Sequence, residues 1–237
     1  IIIISASIGL ILILLVLLVI INQRRKSEAL LLNILPAKIA KRLKSKEVSI
    51  ADDIENATTI FIDLVGFTSF AKDKKASEVL KILNNIFSRI DKLVAKYGLE
   101  KIKTIGDGYM AAAGVPEPIS DHAEKAVEFT LAVRNEIEKF NTETGMNISA
   151  RMGLESGPLV AGVIGDSKFI YDLWGDSVNT ASRMESTGLP NQIQITENVK
   201  QELESVKTSY QFTPREPIEV KGRGIMHTYF IERAEII

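Results

Sequence analysis

Cysteine is absent from the 237 residues, which removes disulfide scaffolds, iron–sulfur clusters and thiolate zinc sites. Histidine is nearly absent too. His122 and His227 stand too far apart for a local metal motif. Neither sign of charge is in surplus: 29 basic residues face 30 acidic ones, for a net charge of −1. Neutralising a phosphate backbone needs a basic excess, so nucleic acid is not an expected partner.

Apolar residues are plentiful but unevenly spread. Residues 1–21 (IIIISASIGLILILLVLLVII) hold no charged side chain, and only Ser5, Ser7 and Gly9 fall outside the apolar set. Without that segment the rest is about 42% apolar and about 27% charged, ordinary for a globular domain. As a helix, 21 residues span about 31 Å, the thickness of a bilayer's hydrocarbon core. The basic cluster Arg24-Arg25-Lys26 follows directly, of the kind that stays on the cytoplasmic side. A secretory signal would place a basic stretch before a shorter apolar run, and would end in a small-residue cleavage site. The expectation is therefore a transmembrane helix over 1–21, contacting membrane lipid, with the remainder cytoplasmic at the plasma (inner) membrane. The sequons at Asn56 and Asn147 should then carry no glycan. The run opens without a methionine, so the expectation extends to a longer protein in which this helix is the last of several.

Residues 22–46 read as a juxtamembrane segment: the basic cluster, then Leu31, Ile34, Leu35, Ile39 and Leu43 at three-to-four spacing, interrupted at Pro36. A linker would not need that stripe, so a short dimerising signalling helix over 27–46 is expected. A catalytic domain is expected over 47–237. No internal repeat or low-complexity stretch appears there.

From residue 57 the hydrophobic period alternates between strand and helix. ATTIFIDL (57–64) reads as a buried strand, and 76–97 as a helix stopped by Gly98. KIKTIGDGYMAAAGV (101–115) reads as two strands turning at Gly106-Asp107-Gly108. A second helix begins at Asp121, with Glu124 three residues on as in a capping box, and runs to Phe140. Strands near 147–155, 159–164 and 169–173, a helix near 176–187 and a β-rich tail complete the chain. The order β-α-β-β-α-β predicts an α+β fold, ferredoxin-like with appended elements.

Chemistry concentrates at a few positions. Asp63 ends an apolar strand and is followed by Gly66-Phe67-Thr68, a turn and helix start whose free amides suit phosphate oxygens. Asp107 sits in the hairpin turn of the adjoining strand pair. Two aspartates at neighbouring strand ends can hold two cations that clamp a triphosphate and activate an attacking hydroxyl; either one alone is more often a cap or turn residue. A receiver domain also places an aspartate after an apolar strand, but in a parallel fold without this hairpin. Lys103 disturbs its strand, since alternation puts Lys101 and Lys103 on one face while Ile102 and Ile105 cannot share the other. It reads either as a solvated lysine or as a cation aimed at the ring nitrogen of a base. Asn179 and Arg183, four apart on a helix, point the same way, as a polar surface or as groups that orient a ribose and stabilise a transferring phosphate. Lys221, in VKGRG, reads as a basic turn or a contact to a terminal phosphate.

From about Asn56 to Ile231 these residues resemble a class III nucleotidyl cyclase catalytic domain. The resemblance is carried by FIDLVGFTSF (61–70), KIKTIGDGYMAAAGV (101–115), YDLWGDSVNTASRMESTG (171–188) and VKGRG (220–224), in that order. It implies two Mg²⁺ or Mn²⁺ ions per site on Asp63, Asp107 and the Leu64 carbonyl. Asn179 would orient the ribose, Arg183 would stabilise the transition state, and Lys221 would meet the terminal phosphates. Lys103 and Asp172 would select the purine: a lysine donating to N1 and an aspartate accepting from the 6-amino group fit adenine, hence ATP, whereas guanylyl cyclases usually carry Glu and Cys or a similar residue. The activity implied is conversion of ATP to 3′,5′-cyclic AMP and pyrophosphate in a head-to-tail homodimer with sites at the interface. The alternatives are a guanylyl or mixed-specificity cyclase and a silent nucleotide-binding regulatory module. Pro158 departs from relatives that bring a basic residue toward the phosphates there.

Overall fold

The computed structural model describes residues 2–45, 47, 49–72, 74–165, 167–204, 206, 210–220 and 224–234, apart from the side chains of 2–8, 10, 11, 68, 69 and 220. The chain divides into two compact units, one of Ile1–Ile50 with Ile164–Tyr171, the other of Ala51–Val163 with Asp172–Ile237.

In the first unit, α1 (Ile2–Leu32) continues without a break from the apolar run through the basic cluster. The expected helix over 27–46 is thus two pieces. Its first residues close α1, and the rest form α2 (Ala37–Lys44), with Pro36 as N-cap, a place where a missing N–H costs nothing. The stripe divides accordingly. Leu35, Ile39 and Ala40 are buried, whereas Ile34 is exposed. Lys44 pairs with Glu28 at 2.5 Å, tying α2 to α1. On α1, ten consecutive apolar side chains, Leu12 to Ile21, are 43–62% exposed. Among the described residues no helix is long and apolar enough to cross a membrane, and much of the expected span, the side chains of 1–8, 10 and 11, lies outside them.

The second unit is built on a sheet. Its elements in order are β1 (Ile50–Val65), α3 (Phe67–Ala71), α4 (Ala76–Tyr97), β2 (Glu100–Ile105), β3 (Gly108–Ala113), α5 (His122–Thr144), β4 (Ser149–Ile164), β5 (Ile170–Trp174), α6 (Asp176–Ser186), β6 (Ile193–Thr196), α7 (Glu197–Glu204), β7 (Tyr210–Pro214), β8 (Ile218–Val220), β9 (Gly224–Met226) and β10 (Thr228–Arg233). The strand order is β2-β3-β1-β4-β6-β10-β7, with β5 off that path against β4, and β8-β9 form a separate hairpin. The first four positions, β2-β3-β1-β4, are the ferredoxin-like order that the βαββαβ pattern predicts.

Helix α4 occupies the predicted span, because Gly98 adopts φ +70° and donates its N–H back to Val94. Helix α5 runs four residues further than expected, to Thr144, and is capped by Gly145 at φ +68°. Its capping box does not form. Asp121 makes no side-chain cap bond and pairs instead with Lys125.

One face of the sheet carries the core. Ile60, Ile62 and Leu64 of β1, Tyr109, Ala111 and Ala113 of β3, and Ala150, Met152 and Leu154 of β4 pack with Ile86, Ile90 and Val94 of α4 and the buried side of α5. Period-two alternation therefore turns Asp63 and Arg151 to the opposite face. There α6 lies hard against the sheet: a Cβ on Gly153 would stand 2.0 Å from the Glu185 nitrogen and 2.5 Å from the Met184 carbonyl carbon. Only glycine admits the helix this closely.

Candidate active site

The two candidate metal carboxylates are brought together by strand register. Asp63 is the Cα partner of Gly108 across the β1–β3 ladder, so Asp107 sits one residue beyond it in the turn. Gly108 leaves room for this, since a Cβ there would lie 3.2 Å from the Ile105 carbonyl oxygen and 3.8 Å from Asp63 Oδ1. Burial, and next the charge of Asp107, push the Asp63 carboxyl above its ordinary range, against the pull of Arg151. After Leu64 the chain turns at Gly66, φ +73°, into α3. The Phe67 ring is buried in the core, so Gly66 and Phe67 can offer only backbone amides. The Thr68 side chain lies outside the described residues.

Lys103 reaches the same face through a bulge. Lys101 pairs with Ala111 and Lys103 with Met110, so Ile102 is the extra residue. One inserted residue reverses the facing of all that follows. Lys101 therefore points to the helix-covered side, donating to Asp91 at 2.7 Å. Lys103 points to the Asp63 side, donating to Asp172 Oδ2 at 2.5 Å. The expectation that both lysines share a face is corrected by the bulge, which also accounts for the misplaced Ile102 and Ile105.

Arg151 links this face to α6. Its Nη2 donates to Asp63 Oδ2 at 2.8 Å, and its Nε to Glu185 Oε1 at 3.1 Å. The Glu185 carboxyl is also pushed upward, first by burial and then by Asp63. Two carboxylates thus hold one guanidinium, and the charge of Asp107 acts on both of them, an excess of negative charge that suits a cation. All donors are hard oxygens, which fits Mg²⁺ or Mn²⁺ completed by substrate phosphates; among the described residues no group of three or more His, Cys, Asp or Glu forms a self-sufficient metal cage.

Asn179 and Arg183 lie on the exposed side of α6. Among the described residues neither side chain makes a hydrogen bond or ion pair. Among the described residues neither is bonded to Asp63 or Asp107. Lys221 lies outside the described residues.

The profile of the adenylate and guanylate cyclase catalytic domain matches residues 50–233. The chain belongs to that family. It is 44% identical over 207 residues to an adenylate cyclase of Mycobacterium tuberculosis (87% of this chain, 46% of that protein). It is 38% identical over 210 residues to the rat soluble guanylate cyclase subunit beta-2 (88% and 30%). The chain therefore spans less than half the length of these relatives. A solved guanylate cyclase domain of RhGC from Catenaria anguillulae in complex with GTP superposes with a TM-score of 0.72 at 38% identity, over 78% of this chain and all of that one.

Within the cyclase domain, sequence reasoning missed Arg151 and Glu185. A signal existed for the first: in Ala150-Arg151-Met152-Gly153-Leu154 a lone charge alternates with residues of the core. At Pro158, where a basic residue was sought, the carbonyl instead accepts from Ser177 Oγ at 2.6 Å, fastening β4 to the start of α6.

Proposed function

We propose that this chain is the catalytic part of an adenylyl cyclase, converting ATP to 3′,5′-cyclic AMP and pyrophosphate. The observation that carries the substrate choice is the pair Lys103–Asp172, a donor and an acceptor side by side on the metal face. Adenine offers N1 as acceptor and its 6-amino group as donor, so base and pair match; guanine reverses both.

Asp63, Asp107 and the Leu64 carbonyl would hold two Mg²⁺ or Mn²⁺ ions, which supply Lewis acidity toward the ribose 3′-hydroxyl and the α-phosphate. Gly66, Phe67 and Thr68 offer backbone amides to phosphate oxygens. Asn179 fixes the ribose so that its hydroxyl attacks in line, and Arg183 stabilises the charge that develops at phosphorus. Lys221 meets the terminal phosphates. Asn179 and Arg183 are exposed and, among the described residues, make no side-chain hydrogen bond or ion pair, which supports a head-to-tail homodimer whose sites join one protomer's carboxylates to its partner's α6.

Residues 1–21 act as a membrane anchor in the same reading, and 22–46 pass a signal from it to a domain beginning near 47. Support comes from the uncharged run and the basic cluster after it, and from the ten exposed apolar side chains of α1. The cyclase domain would then be cytoplasmic at the plasma (inner) membrane.

Turnover of ATP and GTP by the purified chain with Mg²⁺ or Mn²⁺ tests the substrate. Cyclic AMP is expected, and lost in Asp63→Ala. Exclusive use of GTP would make the chain a guanylyl cyclase, and nucleotide binding without product would make it a regulatory module.

A further inference from the structure

Arg151 engages one of the two oxygens that Asp63 could offer a metal ion. Its guanidinium spans two carboxylates on different elements, Asp63 of β1 and Glu185 of α6, with side chains 28% and 12% exposed. The contact to Asp63 uses Oδ2, an oxygen that a divalent cation would need at about 2.1 Å. Guanidinium and metal ion repel, so they compete for that oxygen.

We propose that Arg151 is the resident counter-ion of the metal carboxylates: it holds Asp63 in the resting site, yields that oxygen to an incoming divalent cation, and is kept at the site by Glu185. The inference rests on reading Asp63 as a metal ligand. Asp63, Asp107 and Glu185 carry charges of one sign that repel one another, and Arg151 offsets that repulsion. A cation must displace the guanidinium, so the site binds metal weakly until a ligand draws the displaced charge elsewhere. The Nε contact to Glu185 leaves the side chain tethered when the Nη2 contact breaks. Two separate contacts of one rigid planar group permit this, where a lysine could not.

The test is Mn²⁺ binding to the full chain without nucleotide, followed by the paramagnetic resonance of free Mn²⁺. Arg151→Gln is expected to tighten binding by about three- to tenfold, the range for loss of a half-exposed competing ion pair. Arg151→Lys, which keeps the charge without the two-pronged link, is expected to fall between. In an Asp63→Asn background, Arg151→Gln should bring no further gain, because the contested oxygen is gone. Unchanged or weaker binding in Arg151→Gln overturns the proposal. An equal gain in both backgrounds overturns it too, since the effect would then be general charge rather than competition at Asp63. The two readings fail separately: if Asp63→Asn alone leaves Mn²⁺ binding intact, the metal role of Asp63 falls first, and the competition with it.

Discussion

Lys103 donates to Asp172 across 2.5 Å, a contact that joins β2 to β5. The Asp172 side chain is 16% exposed and also accepts from the Leu173 N–H at 2.9 Å, so the acceptor is fixed in place and the lysine comes to it. On the proposed reading, a purine entering here would exchange one set of hydrogen bonds for another. Lys103→Ala and Asp172→Ala should each lower kcat/KM for ATP by about ten- to hundredfold, with the remaining partner unpaired. Because the two act as one unit, the double variant should lose little more than the worse single one. Full additivity in steady-state kinetics would show that they work independently.

Gly153 controls whether α6 can occupy the Asp63 face of the sheet at all. An added methyl would overlap backbone atoms of Met184 and Glu185, which have no rotamer to give. Gly153→Ala should therefore destabilise the domain by about 3 kcal/mol in urea unfolding, at the upper end of overpacking costs. A loss below about 0.5 kcal/mol would mean that the helix sits further from β4 than described here.

Such contacts explain what the sequence showed and what it hid. Helix α4 was legible to the residue, because its apolar spacing and Gly98 are local signals. The ferredoxin-like core followed from element order alone. The bulge at Ile102 was legible only as an anomaly, since the pattern cannot say which residue of a strand is extra. Ser149–Ile164 was read as two strands around Gly157-Pro158; it is one, because ladder pairing overrides the local turn preference of that dipeptide. The first residues of β1 escaped notice for the opposite reason. Between Ile50 and Ile54, both buried, lie Ala51, Asp52 and Asp53, exposed or half-exposed, which leaves too few apolar positions to show an alternation. Helix α7 was absorbed into the β-rich tail because it follows β6 without a single linking residue. The site showed the same division. Asp63 and Asp107 announced themselves by position in a motif, whereas Glu185 matters only because Gly153 admits its helix.

Glu100, at the start of β2, is pushed up to about 7 by burial. A carboxyl that holds its proton more tightly in the folded chain contributes stability that is present below its unfolded value of 4.5 and lost as pH rises toward 7. Glu100→Gln, which cannot ionise, should stabilise the chain at pH 8 by about 1–3 kcal/mol and leave it nearly unchanged at pH 4. Thermal or denaturant unfolding at the two pH values measures the difference. A variant less stable at pH 8 than the parent would reverse the sign and assign the Glu100 charge a favourable partner.

Asn179 and Arg183 separate stability from activity more cleanly than any other pair. Both are exposed on α6, and among the described residues nothing holds either side chain. Replacing either with alanine should change unfolding free energy by less than about 0.5 kcal/mol. Activity should nevertheless fall by at least about a hundredfold, as for loss of a group that stabilises developing charge. If these residues complete the site of a partner protomer, the defect belongs to the interface and can be complemented. Two inactive chains, Asp63→Ala and Arg183→Ala, mixed in equal amounts should regain about a quarter of the parental activity, because half the dimers would be mixed and each would carry one intact site of two. No recovery on mixing, with dimers shown to exchange, would place Arg183 in its own chain's site and require α6 to move toward Asp63 during the reaction.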